Sequence, residues 1–130
     1  MKYIKYCNIL NLDIYKNKVE KKDVDEILDW TNERFVKSFA KLYCLALIAK
    51  GYTHGYDIMK YINHQYGLKI STGSIYKVLQ WLENKEYIKG SWEYKEGKPS
   101  RRSYIVTKKG VNAIKAAGER LMILVNGLSN

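Results

Sequence analysis

Residues 71–107 read STGSIYKVLQWLENKEYIKGSWEYKEGKPSRRSYIVT, and the periodicity of this stretch decides the fold. In its first half, apolar residues recur at Ile75, Val78, Leu79 and Leu82, the i, i+3, i+4, i+7 spacing of one helix face. Ser71 stands just ahead of them, where a hydroxyl can accept a free N–H of the first turn. The spacing predicts a helix over 72–85, with Ser74, Lys77, Gln80, Trp81 and Asn84 on the opposite face. The period then changes to two. YIKGSWEY (87–94) and RSYIVT (102–107) read as strands, and KEGKPS between them is a loop punctuated by Gly97 and by Pro99, the only proline of the chain.

Upstream, a helix is predicted over 54–65, opened by Thr53, closed at Gly67 and carrying Ile58, Tyr61 and Ile62 on its apolar face. Before it, a helix over 32–50 is expected, capped by Thr31 and ended by Gly51, with Phe35, Phe39, Leu42 and Ala46 as one buried stripe. A shorter helical stretch starts at Asp23, places Val24, Ile27 and Leu28 on one face and ends near Trp30. Residues 1–20 alternate weakly and are expected to form a short strand or an arm. Downstream, Thr107 caps a helix over 108–126. Val111, Ile114, Gly118, Leu121, Val125 and Leu128 step along it by threes and fours, which is a heptad seam.

The expected fold class is mainly α with a small β-hairpin: a winged helix-turn-helix with a long C-terminal helix. It divides into an N-terminal extension (1–32), a winged helix-turn-helix (33–107) and a C-terminal dimerisation helix (108–130). A chain of 130 residues with 46% apolar content fits one globular domain. The longest apolar run, LYCLALIA (42–49), is far short of the roughly twenty residues of a membrane span. The start MKYIKYCNIL is broken by Lys5 and Asn8 and lacks a signal-peptide core. Cys7 and Cys44 have neither Cys-x-x-Cys spacing nor a histidine at metal-ligand spacing and read as reduced thiols of a cytoplasmic protein.

The net charge is +10. From Lys85 to Lys109 there are eight basic and three acidic side chains, clustered around Lys95, Lys98, Arg101 and Arg102 at the hairpin tip. A basic surface of this kind favours a polyanion, by Coulomb attraction and counterion release. A guanidinium forks onto phosphate oxygens or enters a narrow minor groove, and a proline-stiffened loop loses less entropy on ordering. The 72–85 helix presents short polar groups and free N–H groups at its start, as a helix entering a major groove requires. Ser71 and Thr72 could equally do no more than cap the helix.

No pattern suits catalysis or metal binding. His54 and His64 do not share a helix face as a ligand pair, and Glu93 and Glu96 lie on an open hairpin. GxSxG, HExxH and phosphate-cradling glycine loops are missing. No enzyme, cofactor, metal or membrane partner is expected. Trp30, Trp81 and Trp92 read as core or interface residues, with Trp81 either DNA-proximal or dimer-facing.

Four stretches, THGYDIMKYI (53–62), STGSIYKVLQWLENKEYI (71–88), SWEYKEGKPSRR (91–102) and YIVTKKG (104–110), together resemble the PadR family of transcriptional regulators. The family typically shows His-Gly-Tyr-Glu-Ile, Ser-Pro-Gly-Thr-Leu-Tyr, Gly-Arg-Pro-Ala-Arg-Arg and Thr-x-x-Gly in this order. The resemblance implies a homodimeric DNA-binding repressor, paired through the last helix and, in related dimers, relieved by a small aromatic effector. By position it implies DNA contacts from Ser71, Thr72, Ser74, Tyr76 and Lys77 on the recognition helix, from Lys98, Arg101 and Arg102 on the wing (95–102), and from Tyr56 on the preceding helix. Dimerisation falls to Val111, Ile114, Gly118, Leu121 and Val125. Thr72 replaces a usual proline, Lys77 stands where a second proline is common, Ser103 replaces an aromatic, and the N-terminus is longer than usual. The expected function is sequence-specific binding of double-stranded DNA at the nucleoid. The alternatives are a protein-interaction module meeting an acidic protein, and a non-specific architectural DNA binder.

Overall fold

A computed structural model of the chain describes residues 21–128. Its elements are α1 (Lys21–Ser38), α2 (Ala40–Ala49), α3 (Gly55–Tyr66), α4 (Thr72–Asn84), β1 (Ile88–Glu93), β2 (Arg101–Val106) and α5 (Lys108–Asn126). The strand or arm expected over residues 1–20, and Cys7 with it, lie outside the described residues.

The core forms where the apolar faces of α2, α3 and α4 meet. Ile58 and Ile62 of α3, Ile75, Leu79 and Leu82 of α4, and Cys44, Leu45, Leu47 and Ile48 of α2 are buried together, with Val36, Ile88 and Tyr104 closing the cluster. Burial pushes the Cys44 thiol up to about 12, so it stays a neutral apolar filler. A helix-turn-helix needs a fixed angle between its two helices. Gly67, at φ 64°, ends α3 in the left-handed region that glycine enters without a Cβ clash. The Asn63 side chain then grips the turn from both sides, donating to the Ile70 carbonyl (2.9 Å) and accepting from the Ile70 N–H (2.8 Å).

β1 and β2 form one antiparallel hairpin in which Ile88 faces Val106, Gly90 faces Tyr104, Trp92 faces Arg102 and Glu93 faces Arg101. A further backbone bond, from Tyr104 N–H to the Thr53 carbonyl (2.9 Å), ties β2 to the chain leading into α3. Behind the hairpin, the Thr-x-x-Gly segment has a physical reading. The Thr107 hydroxyl accepts from Gly110 N–H (3.1 Å), capping α5, and lies 2.7 Å from the Glu86 carbonyl. Gly110 lets the first turn of α5 lie directly on the Tyr87 carbonyl, where a Cβ would have no room.

The N-terminal helices differ from expectation. No boundary falls at Trp30 or Thr31: α1 runs on to Ser38, and the break comes at Phe39. Thr31 is no cap, because its hydroxyl donates back to the Ile27 carbonyl (2.6 Å) inside the helix. The chain bends at Phe39 with its i→i−4 bonds kept, Phe39 N–H to Phe35 and Tyr43 N–H to Phe39. Thr53 does not open α3 either. His54 is the N-cap residue, without a side-chain cap bond. The stripe Phe35, Phe39, Leu42, Ala46 is not buried. The two phenylalanines are 38% and 39% exposed, and the stripe lines an apolar cleft against Ile114 and Gly118 of α5. The buried face of α2 is the other one.

Gly110→Ala is expected to lower stability by at least about 1–3 kcal/mol, the cost of overpacking against backbone. A fall in the urea midpoint at unchanged slope would show it.

Candidate nucleic-acid interface

The exposed face of α4 carries Gly73, Ser74, Tyr76, Lys77, Gln80 and Asn84, opposite the buried Ile75, Leu79 and Leu82. Thr72 is half-buried. Ser71 caps the helix: its hydroxyl accepts from Ser74 N–H (3.1 Å) and lies 3.0 Å from the Ser74 hydroxyl. Both hydroxyls are exposed and keep spare hydrogen-bonding capacity. Lys77 extends into solvent one turn on.

Tyr76 is both exposed and packed. Its ring edge lies over Gly55, so close that a Cβ there would meet it at 2.8 Å. Gly55 therefore lets α4 seat its tyrosine on the start of α3. The next residue, Tyr56, is exposed, with Lys60 Nζ 5.6 Å from its ring centre. The preceding residue, His54, reaches the wing. Its Nε2 lies 3.0 Å from a Glu93 carboxylate oxygen, and its Nδ1 lies 3.2 Å from the Thr53 hydroxyl. With Nε2 donating to Glu93, Nδ1 is free to accept from Thr53. Asp57 is the second carboxylate near this ring, 3.7 Å from Nδ1.

Glu93 also receives the Arg101 guanidinium (Nε 3.3 Å). The His54 hydrogen bond is the main reason that the Glu93 carboxyl is held below the ordinary carboxylate range. A contact path thus runs from Tyr76 through Gly55 and His54 to Glu93 and Arg101. It joins the middle of α4, the start of α3 and the end of the wing. The loop beyond it turns at Gly97, φ 75°, and carries Lys95, Lys98 and Pro99, all exposed.

Arg102 is placed differently from its neighbour. Its guanidinium grips Glu83 of α4 through both carboxylate oxygens, Nη2 to Oε2 at 2.5 Å and Nε to Oε1 at 3.4 Å. This bond holds the guanidinium's pKa above its ordinary value. Trp81, whose role the pattern left open, is occupied within the subunit. It stacks on Tyr87 at 6.0 Å between ring centres, with Lys41 Nζ 4.1 Å above its ring. Lys109 Nζ lies 4.8 Å from the Tyr87 ring and donates to the Lys85 carbonyl (2.7 Å), which extends this packing to α5.

Of the expected seam on α5, Ile114 packs against the subunit's own core. Gly118, Leu121 and Val125 are half-buried, and Val111 is exposed. Beside the seam Met122, Ile123 and Leu124 are exposed, as is Leu128 at the end of the seam, at 55–73%. Among the described residues, no group of His, Cys, Asp and Glu could hold a metal ion, and no helix is long and apolar enough to cross a membrane.

The family model of the PadR-like transcriptional regulators matches residues 44–116, more than half of the chain. The chain belongs to this family. No curated protein matches it. Among solved structures, the PadR family regulator of Eggerthella lenta is similar over 82% of this chain and 93% of its own, at 18% identity and a TM-score of 0.66. A PadR-like regulator of Bacillus cereus is similar over 75% and 98%, at 23% identity and a TM-score of 0.58. Bacillus subtilis PadR, solved in complex with operator DNA, is similar over 59% of this chain and 45% of its own, at 25% identity and a TM-score of 0.54. In this PadR-family chain, the His-Gly-Tyr segment is the joint between recognition helix and wing. The sequence carried no direct sign of its partner Glu93, which lies 39 residues away.

Ser71→Ala is expected to lower stability by about 0.5–2 kcal/mol through loss of the cap. Lys77→Ala, at an exposed site, should stay within about 0.5 kcal/mol. Urea unfolding of the two variants separates the capping residue from the solvent-facing one.

Proposed function

We propose that this chain is a homodimeric, sequence-specific double-stranded DNA-binding repressor acting in the cytoplasm at the nucleoid. Residues 33–107 bind DNA and residues 108–130 pair the subunits. The observation that carries the reading is the contact path from Tyr76 to Arg101, which puts the exposed face of α4 and the wing on one side of the fold. One duplex can then touch both. The operator-bound B. subtilis relative supports the same use of the fold.

In this reading α4 enters the major groove. Thr72, Ser74 and Lys77 face the bases and nearby phosphates, with Ser71 and Tyr76 at the groove edge. Lys98 and Arg101 take the backbone or the minor groove, and Tyr56 lies by the phosphates before α4. Two subunits would read half-sites about 34 Å, or a multiple of it, apart. A flat aromatic effector, if the chain takes one, would sit in the cleft lined by Phe35, Phe39 and Ile114. The net charge of +10 supports the encounter with DNA and makes it salt-dependent.

Lys98→Ala with Arg101→Ala should weaken binding to every duplex and lower the slope of log affinity against log salt by about 0.9 for each phosphate no longer neutralised. Titrations of a labelled duplex at several salt concentrations measure this, and an unchanged slope would take the wing out of the mechanism.

Pairing is assigned to α5 because it carries the seam Val111, Ile114, Gly118, Leu121 and Val125, and because Met122, Ile123, Leu124 and Leu128 near its end are apolar side chains left exposed. The wild-type chain should sediment as a dimer, and Ile123→Glu with Leu124→Glu should shift it to monomer. A wild-type monomer at micromolar concentration would remove the pairing.

A further inference from the structure

The wing carries two adjacent arginines, and strand geometry does not let both do the same thing. Successive side chains of a strand point to opposite faces, and directly opposed residues of the two strands share a face. The register puts Ile88, Gly90 and Trp92 on one face with Val106, Tyr104 and Arg102. Ile88 and Tyr104 are buried, so this is the face turned to the helices. Arg101 belongs to the other face. Its side chain is 53% exposed, against 27% for Arg102.

The inner face also holds a slot shaped for a guanidinium. Gly90 leaves the space that the Arg102 side chain crosses, and a Cβ there would meet Arg102 Nε at 2.7 Å. The Trp92 and Tyr104 rings lie 5.4 and 6.0 Å from the guanidinium carbon, within cation–π range. Glu83 of α4 closes the end with two hydrogen bonds. A bidentate arginine–carboxylate pair is directional as well as strong.

The two arginines also differ in what they would leave behind on turning to a phosphate. Arg101 holds Glu93 through one 3.3 Å contact at an exposed site, where ion pairs are worth little. If Arg101 departs, His54 still holds Glu93. If Arg102 departs, Glu83 is left half-buried beside a polyanion, since among the described residues its ion pair is with Arg102.

We infer that Arg102 is a positioning residue, a strut that fixes the wing against the recognition helix, while Arg101 is the arginine that exchanges its carboxylate for a DNA phosphate. The inference rests on the DNA-binding reading and assigns its two wing arginines different work. It makes Glu83, a carboxylate on the recognition helix, favourable for binding an anion.

The test measures the affinity of the full chain for a mixed-sequence DNA duplex across a salt series, with circular dichroism to confirm folding. Arg101→Gln should lower the salt slope by about 0.9. Arg102→Gln and Glu83→Gln should each lower affinity about tenfold with the slope unchanged, and the double variant should be no weaker than either single one. Gly90→Ala, which changes no charge, pushes the guanidinium out of its slot. It should give the same loss and add nothing to Arg102→Gln. The inference is overturned if Glu83→Gln strengthens binding, as removing a negative charge and freeing a phosphate-binding arginine would. It is equally overturned if Arg102→Gln lowers the slope as Arg101→Gln does. If Arg102→Gln fails to fold, Glu83→Gln and Gly90→Ala still decide. Failure of the wild-type chain to bind any duplex at low salt removes the DNA-binding reading itself, and the strut with it.

Discussion

The candidate DNA-binding surface depends on how a two-stranded hairpin is fastened to three helices. Two strands alone are marginal in water, and their position relative to α4 is not set by their own pairing. Three tertiary ties set it: Tyr104 N–H to the Thr53 carbonyl, His54 to Glu93, and Arg102 to Glu83. The first two fasten the wing to the start of α3, and the third fastens it to α4 itself. Thr107 and Gly110 then fix the exit from the wing into α5. The helix-turn-helix has its own clamp in Asn63, whose side chain bonds both backbone groups of Ile70.

These ties explain where the acidic residues of a strongly basic chain are placed. Glu93 lies within the basic region and Glu83 just ahead of it, and both look unhelpful for meeting a polyanion. Each is engaged by a cation or an imidazole from another element. Glu93 is ionised at neutral pH, as any carboxyl near its ordinary value is, so its share of the attachment is present there. That share fades only as pH falls through its lowered range. Charge that would weaken a purely electrostatic surface instead gives the surface a defined shape.

The pattern was readable wherever a local rule acted alone. Ser71 and Thr107 cap as their positions suggested, Gly67 closes α3, and the core stripe of α4 is the expected one. It misled where two local rules competed. Thr31 looked like a cap, but a threonine inside a helix can satisfy its hydroxyl on the preceding turn, and a continuous apolar row needs no boundary there. Phe35 and Phe39 have helical spacing, but spacing says that residues share a face and not which neighbour covers it. For Arg102 the sequence does hold a signal, in the alternation of the strand. In RSYIVT, Arg102 has the parity of Tyr104 and Val106, the apolar side, while Arg101 has the parity of Ser103.

The amino-acid sequence by itself determined the element order, the family, the basic character of the C-terminal half and the caps that bound α4 and α5. The family was legible through the resemblance of four motif stretches, and the rest follow from interactions spanning a few residues or from net composition. Only the tertiary structure decided that Trp81 meets Lys41 and Tyr87, that His54 reaches Glu93, and that Arg102 is engaged by Glu83. Except for Tyr87, which follows Trp81 by six residues, those partners lie far apart along the chain. Their meeting depends on the packing of α2, α3 and α4 and on the twist of the hairpin, and no periodicity along a single chain encodes a distance between two of its turns.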